Sequence, residues 1–208
     1  MNNNNFVTSA GRCFSVPPGV LARAAYTLLG VPHLGYRARL RRYRQFWRLA
    51  PGARVVELGC GYGFLGHDLA PAPARYVGLD RDAGRLARAR GLAVPVARGD
   101  INRPPFRTGV ADLVIMAEVL EHLPDPAAAL REAARLLAPG GKLLASVPEP
   151  HAGDRVAFGH AQEGFTRATL TALLTEHGWT VERIAPYGGR LFTAAWRAQL
   201  ALPGGLVT

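Results

Sequence analysis

The chain has 208 residues, a length that suits one sizeable hydrophobic core and is short for two domains. Hydrophobic residues make up 49% and charged residues 19%, which excludes an intrinsically disordered chain. Two cysteines cannot build a disulfide scaffold, and no apolar run reaches the roughly 18–20 residues of a membrane helix. The formal net charge is +10, and Lys142 is the only lysine. This arginine excess reflects either GC-rich coding or an anionic partner such as nucleic acid, a membrane surface or a phosphorylated substrate.

The N-terminal part of the chain predicts a lead-in followed by helices. Residues 1–18 lack the basic start of an export signal, so we expect a flexible lead-in and a cytoplasmic protein. Helices are predicted at 20–29 and 35–49, and the second has an aromatic stripe formed by Tyr36, Leu40, Tyr43 and Trp47. Beside it lies a basic stripe formed by Arg37, Arg41, Arg44 and Arg48. This basic stripe is either a solvated face or a lid beside an active site. We therefore expect a helical lead-in or lid over 1–50 and one domain over 51–208.

Strand-like and helix-like segments alternate from Pro51 onward. Strands are predicted at 54–58, 75–79, 94–97, 111–117, 142–147 and 180–184. Thr166 is predicted to cap the helix before the last of them. Such alternation is typical of βαβ units, and it predicts an α/β fold with a mostly parallel sheet and helices on both faces. Ligands of such a sheet bind at the carboxyl ends of its strands.

The main candidate for a ligand site is the glycine-rich segment Glu57-Leu58-Gly59-Cys60-Gly61-Tyr62-Gly63, between the first of these strands and its helix. Glycines there allow a sharp turn and let a ligand lie against the main chain. Asp80 ends the next strand, where a carboxylate can accept hydrogen bonds from both ribose hydroxyls. Asp100-Ile101 follows the third strand, where the carboxylate of Asp100 suits the amino group of a purine and Ile101 suits its ring face. An NAD site is the alternative, because Gly61 to Gly66 satisfies G-x-G-x-x-G, but it leaves Glu57 and Asp100 without a role.

These segments resemble the class I S-adenosylmethionine-dependent methyltransferases, over about Val55 to Val147. The resemblance implies a three-layer Rossmann-like fold with S-adenosylmethionine as the cofactor. It places the glycine loop beside the methionine part of the cofactor, Asp80 at the ribose and Asp100 at the adenine. The cofactor-binding residues that it implies are Glu57, Gly59, Cys60, Gly61, Tyr62, Gly63, Asp80, Arg81, Asp100, Ile101, Ala117 and Glu118.

The segment Glu118 to Pro126 resembles the loop after strand four in ubiquinone-pathway O-methyltransferases. Three interpretations are open. His122 is a general base for an acceptor hydroxyl; or Glu118, Glu121 and His122 share a divalent metal, as in some relatives with this spacing; or Glu118 and His122 only order the loop. His160 is a second catalytic candidate, and His151 or His160 would complete a metal set.

One departure from the family concerns its seventh, antiparallel strand. Residues 191–202 are typical of an apolar helix, so the C-terminal edge strand is either missing or replaced by another segment or a partner chain. This favours a homodimer or a peripheral membrane contact. We expect a small-molecule or lipid-linked acceptor, with an anionic one fitting the arginines and a hydroxyl as the methylated group. The alternatives are an RNA methyltransferase assisted by a divalent metal and a non-catalytic cofactor-binding relative.

Overall fold

The structure is a computed structural model that describes residues 4–10, 34–46, 49–69, 74–150 and 160–186. The predicted helices at 20–29 and 191–202, together with His151, lie outside these residues.

Seven strands and five helices are described. The strands are β1 (Asn4–Ala10), β2 (Arg54–Leu58), β3 (Arg75–Asp80), β4 (Val96–Arg98), β5 (Ala111–Ala117), β6 (Leu137–Val147) and β7 (Trp179–Pro186). The helices are α1 (Leu34–Phe46), α2 (Phe64–Leu69), α3 (Ala83–Gly91), α4 (Pro126–Leu136) and α5 (Arg167–Glu176), with a short 3-10 turn at Leu120–His122. The strands form one sheet in the order β4-β3-β2-β5-β6-β1-β7, and all its described pairings are parallel. The predicted α/β fold is confirmed.

Alternate residues of the central strands pack into two separate cores, which gives the domain three layers. Val56 and Val114 belong to a core that includes α4 and α5, through buried residues such as Leu130. Val55 and Ile115, their neighbours along the strands, belong to the core that includes α1 and α2. The predicted helical stripe of α1 contributes Leu40 and Tyr43 to this second core. Arg41 and Arg44 on the basic stripe are exposed.

The N-terminal segment corrects the predicted lead-in. Residues 4–10 form β1 and lie between β6 and β7, parallel to both, with Asn5 paired to Lys142 on one side and Thr180 on the other. Strand pairing on both sides provides hydrogen bonds for backbone N–H and C=O groups, which in a free lead-in would bond to water. The expected gap in the sheet is therefore filled by another segment of the same chain. That strand precedes the others in the chain and is parallel, in contrast to the antiparallel C-terminal strand that the resemblance implies.

Local signals account for most element boundaries. Asp82, Asp125 and Thr166 cap α3, α4 and α5, because each side chain accepts a hydrogen bond from the backbone N–H three residues on. Strand β6 starts at Leu137, before the predicted turn Pro139-Gly140-Gly141, since Leu137 already pairs with Ala111. Within the described residues, no helix is both long enough and apolar enough to span a membrane.

Candidate cofactor and acceptor site

The glycine loop joins β2 to α2 with three left-handed residues. The φ angles of Gly59, Gly61 and Gly63 are +78°, +52° and +75°. A Cβ on Gly59 would lie 2.6 Å from Val119 Cγ2, and one on Gly63 would lie 2.7 Å from Ala89 Cβ. Gly61 differs, because no atom lies within 4 Å of such a Cβ. The loop is thus packed at two glycines and open at the third, where a ligand can approach the main chain.

Asp80 is held beside that opening. It is buried at the end of β3, where its Oδ2 accepts a hydrogen bond from Gly61 N at 2.8 Å and its Oδ1 accepts one from Asp82 N at 2.9 Å. Each oxygen keeps a further lone pair, so the carboxylate can also accept bonds from two ribose hydroxyls. The position of Asp80 fits the role predicted for it.

Cys60 has a packing role in the same loop. The residue is buried, and its side chain fills the space over Gly78, where an added Cβ would lie 2.6 Å from Cys60 Sγ. Burial raises the pKa of the Cys60 thiol, so the group is neutral at physiological pH. Its contribution to a cofactor site is shape and backbone position.

The residues expected at the adenosine end of the cofactor lie around the ends of β3 and β4. Gly99 N donates to Asp80 O at 3.0 Å, which brings Asp100 and half-buried Ile101 close to Asp80. The Asp100 side chain is exposed and its Oδ1 accepts a hydrogen bond from Asn102 N at 2.9 Å. Arg81 is exposed at the same edge. The structure therefore brings together the residues that the sequence placed at this end.

Glu57 is a buried carboxyl beneath the glycine loop. Its side chain accepts a hydrogen bond from the hydroxyl of Tyr76 on the neighbouring strand β3. Burial raises the pKa of Glu57 to about 7; the Tyr76 hydrogen bond and the charge of Arg39 oppose this rise, and Asp80 adds to it. The group thus changes protonation near neutral pH, next to the open main chain of the loop.

A chain of polar contacts ties α1 to the end of β5. Glu118 follows β5 with a φ of +56°, a strained value for a residue other than glycine. Ser146 Oγ donates to Glu118 Oε1 at 2.6 Å, and the Tyr43 hydroxyl is hydrogen-bonded to the same Ser146 Oγ. Arg39 Nη1 lies 3.9 Å from Glu118 Oε1. Because the Ser146 proton is used on Glu118, Tyr43 is the donor to Ser146.

Four of these polar residues were missed by the sequence analysis: Arg39, Tyr43 as a hydrogen-bond donor, Tyr76 and Ser146. The aromatic stripe of α1 identified Tyr43 as a packing residue only. No motif marks the other three, since each meets its partner through the tertiary fold. Arg39 also lies outside the predicted basic stripe, so the part of α1 that reaches the site differs from the one expected.

Three titratable side chains meet in the region that follows β5. Glu121 is 1% exposed, and His122 Nε2 lies 4.0 Å from its Oε1. The rings of His122 and His160 meet edge to face, with centroids 4.7 Å apart. Burial and the charge of Glu118 raise the pKa of Glu121, whereas burial lowers the pKa of His160. The cluster thus combines a neutral imidazole with a carboxyl that resists ionisation.

Backbone hydrogen bonds fix this cluster. Ala161 N and Gln162 N donate to Glu121 O at 2.8 and 2.9 Å, which joins the loop after β5 to the segment before α5. His122 and His160 are thereby brought together from distant parts of the sequence. The two predicted candidates are therefore in contact with each other.

The same cluster fits a divalent cation. One ligand atom from each of Glu121, His122 and His160 lies within 4.8 Å of the others. Glu121 Oε2 is buried and has no hydrogen-bond partner in the described part of the chain, which suits a carboxyl that could turn to a metal. The set differs from the expected one, since His160 takes the place of Glu118, whose carboxylate bonds to Ser146.

Comparison with known proteins identifies the domain. Residues 56–145 match the methyltransferase domain family. A protein of Mycolicibacterium smegmatis, named "Probable S-adenosylmethionine-dependent methyltransferase", is 33% identical over 152 residues, 67% of this chain and 57% of that protein. The ubiquinone biosynthesis O-methyltransferase of Xanthomonas oryzae is 39% identical over 102 residues, 46% and 43% of the two chains. The demethylmenaquinone methyltransferase of Mycolicibacterium vanbaalenii is 36% identical over 104 residues, 50% and 46%. The chain thus spans about half the length of these relatives.

Solved structures agree on the fold. An S-adenosylmethionine-dependent methyltransferase from Mesorhizobium loti has a TM-score of 0.60 at 22% identity, covering 79% of this chain and 91% of that one. A cyclase, SpnF, has a TM-score of 0.58 at 26% identity, covering 69% and 56%. The fold is that of Rossmann-like methyltransferases. More specifically, residues 56–145 match a methyltransferase domain similar to that of S-adenosylmethionine-dependent methyltransferases, which implies S-adenosylmethionine as the cofactor.

Proposed function

We propose that this protein transfers the methyl group of S-adenosylmethionine to a hydroxyl of a small or lipid-linked acceptor. The observation that carries the proposal is the arrangement along one sheet edge. The open glycine loop and Asp80 lie at the ends of β2 and β3, and the histidine pair follows the neighbouring strand β5. A cofactor held at the first group and an acceptor held at the second can then react across a short gap.

Methyl transfer requires little from the protein beyond the alignment of cofactor and acceptor. The cofactor supplies a positive sulfonium whose methyl group is open to in-line attack. The glycine loop and Asp80 would hold the cofactor, while the loop that contains His122 would exclude water from the acceptor. His160 is kept neutral by burial, so its imidazole can accept the proton of an acceptor hydroxyl as the oxygen attacks.

An aromatic hydroxyl of the quinol type is the acceptor that we favour. Two of the relatives are named for ubiquinone biosynthesis and for demethylmenaquinone, although each is matched over less than half its length. Phenolic hydroxyls ionise more readily than alcohols, which suits a site whose candidate base is a neutral imidazole. An anionic acceptor would also suit the basic character of the chain.

Divalent-metal assistance is a second candidate, favoured by the ligand atoms of Glu121, His122 and His160. A cation held there would supply Lewis acidity and lower the pKa of an acceptor hydroxyl. The raised pKa of Glu121 gives the test a readout besides activity, because a cation that binds the carboxylate must displace its proton. Titration of Mg²⁺ or Mn²⁺ should release protons from the protein, and Glu121→Gln should abolish that release.

The first experiment is a calorimetric titration with S-adenosylmethionine and S-adenosylhomocysteine. Asp80→Asn should weaken both by at least tenfold, because the amide replaces one of the two acceptor oxygens. Asp112→Asn is the matched control, since Asp112 is a half-exposed carboxylate that pairs with Arg54 near the start of β5. Equal affinity in the protein and in Asp80→Asn would contradict the cofactor site.

The second experiment follows transfer of a labelled methyl group to catechols with and without an alkyl tail. His160→Ala and His122→Ala are compared, with added imidazole as a rescue. We expect His160→Ala to lose at least a hundredfold in kcat with little change in cofactor affinity. Transfer to single-stranded RNA but not to any catechol would favour the RNA alternative. Cofactor binding without transfer to any acceptor would favour a non-catalytic role or a cyclase-type reaction on the same fold.

A further inference from the structure

Positive charge is distributed unevenly along the chain, and one of the basic regions follows β3. Residues 81–107, which run from the end of β3 through α3 and β4, contain seven arginines and only two acidic residues. Residues 111–150, on the other side of β2, contain six acidic residues and three basic ones. Arginine-rich coding by itself would spread the charge along the chain. The uneven distribution therefore favours a partner over a compositional bias.

Four of these arginines form a patch at the carboxyl edge of the sheet, and we call Arg81, Arg85, Arg88 and Arg98 the arginine patch. The guanidinium carbons of Arg85 and Arg88 lie 5.7 and 5.5 Å from the centroid of the Tyr62 ring. Arg98 Nε donates to the backbone carbonyl of Arg81 at 3.1 Å. All four residues are exposed.

The patch keeps a net positive charge. Arg85 Nε lies 3.6 Å from Asp82 Oδ2, the one ion pair of the patch in the described chain. Backbone hydrogen bonding at the start of α3 lowers the pKa of Asp82, and the charges of Arg85 and Arg98 add to this effect. One exposed carboxylate therefore faces several guanidinium groups. Even with Asp100 counted, positive charge dominates this edge.

We propose that the arginine patch binds the anionic surface of a lipid bilayer. The inference rests on the proposed lipid-linked acceptor, which would be embedded in such a surface. The patch lies at the carboxyl ends of β3 and β4, and the histidine pair follows β5 at the same edge, so a bilayer docked on the patch faces the acceptor site. Arg85 and Arg88 are one turn apart on the outer face of α3, while Leu86 and Ala89 are buried on its inner face.

Single-stranded nucleic acid is the competing anionic partner, and the patch suits it less well. Non-specific binding of single strands depends on aromatic rings on which bases stack. The Tyr62 ring is already contacted by two guanidinium groups. Phe106, the aromatic residue of the region 81–107, packs against the core. The patch thus offers charge without a stacking platform, which suits lipid headgroups.

Co-sedimentation with vesicles tests the proposal. The full chain is mixed, without cofactor or acceptor, with phosphatidylcholine vesicles that either contain or lack phosphatidylglycerol. We expect salt-sensitive binding to the anionic vesicles only. The double variant Arg85→Gln/Arg88→Gln should bind about 30-fold more weakly, since each basic residue near an anionic surface contributes about fivefold.

The matched control is Arg75→Gln/Arg131→Gln, which removes the same charge from two exposed arginines at the start of β3 and on α4. This control should bind anionic vesicles within about twofold of the unaltered protein, because its changes lie away from the patch. Equal losses in the two double variants would mean that only net charge matters and would overturn the proposal. Absence of binding to anionic vesicles, or tighter binding to a fluorescent single-stranded RNA than to them, would also overturn it.

The two proposals can fail separately. Vesicle binding is scored without cofactor, so it is independent of methyl transfer. Cofactor titration of Arg85→Gln/Arg88→Gln reports any change at Tyr62, which belongs to the cofactor loop. If vesicles bind through the patch but no catechol is methylated, the membrane site stands and the acceptor assignment fails. If soluble catechols are methylated but vesicles do not bind, the reverse holds.

Discussion

Glu57 should make the stability of the domain fall as pH rises toward neutrality. Its pKa is about 7 in the folded protein, because of burial, against an ordinary value of 4.5. The folded state therefore holds this proton more tightly than the unfolded chain does. The corresponding stabilisation is complete below pH 4.5 and is lost as pH rises through 7. The difference between the two pKa values corresponds to about 3 kcal/mol in the free energy of unfolding.

Glu57→Gln removes this titration while keeping an acceptor for the Tyr76 hydroxyl. Urea unfolding should be followed between pH 4 and 8 for both proteins, and the difference in unfolding free energy plotted against pH. We expect the unfolding free energy of the unaltered protein to fall by about 3 kcal/mol relative to that of Glu57→Gln from the acidic to the neutral end. Titrations common to both proteins, including that of Glu121, cancel in the difference.

Two further variants sharpen the pH experiment. Tyr76→Phe removes a hydrogen bond that lowers the pKa of Glu57, so the loss of stability should move to higher pH. Asp112→Asn should give a nearly flat difference curve over this range, since the Arg54 hydrogen bond lowers the pKa of Asp112 and its titration lies below pH 4. A difference curve for Glu57→Gln that is flat, or that rises with pH, would refute the reasoning.

Three other changes should follow from the packing. Gly63→Ala should lower the melting temperature by several degrees more than Gly61→Ala. Both glycines have positive φ, but only at Gly63 would the added Cβ collide with another residue, at 2.7 Å from Ala89 Cβ. Equal losses in the two variants would show that the collision is relieved. Tyr43→Phe should cost about 1 kcal/mol in urea unfolding by removing the hydrogen bond to buried Ser146, and an unchanged midpoint would argue against that bond. Leu130→Ala, in the core beneath α4, should cost about 2–5 kcal/mol, and a loss below 1 kcal/mol would mean that the core collapses around the space.

The candidate cofactor end of the site was predictable because its signals are local in sequence. Gly59 to Gly63 form one loop, and Asp80 and Asp100 each follow their own strand, so strand order alone brings them together. The residues of the candidate acceptor end could be brought together only by the fold. His122 and His160 meet only because the loop after β5 is bonded to the segment before α5. The contact of Arg39 with Glu118 depends on the way α1 packs on the sheet, which no spacing encodes.

The first strand was unpredictable for a related reason. Residues 4–10 are largely polar and show neither the alternation nor the β-branched run typical of a strand. Their strand state depends on partners at both sides, β6 and β7, that lie far along the chain. Tertiary pairing there overrides weak local propensity.

The placement of β1 also dictates when the sheet can be finished during synthesis. Residues 4–10 pair only with β6 and β7, which lie far along the chain, so both of these strands must be synthesised before β1 has partners to pair with. Such distant pairing carries a large loop-closure entropy and slows folding. Until β1 arrives, a nascent chain exposes the edges of β6 and β7, which another nascent chain could capture. Slow insertion of β1 between β6 and β7 is therefore the step at which strand exchange between two copies of the chain would compete with correct folding.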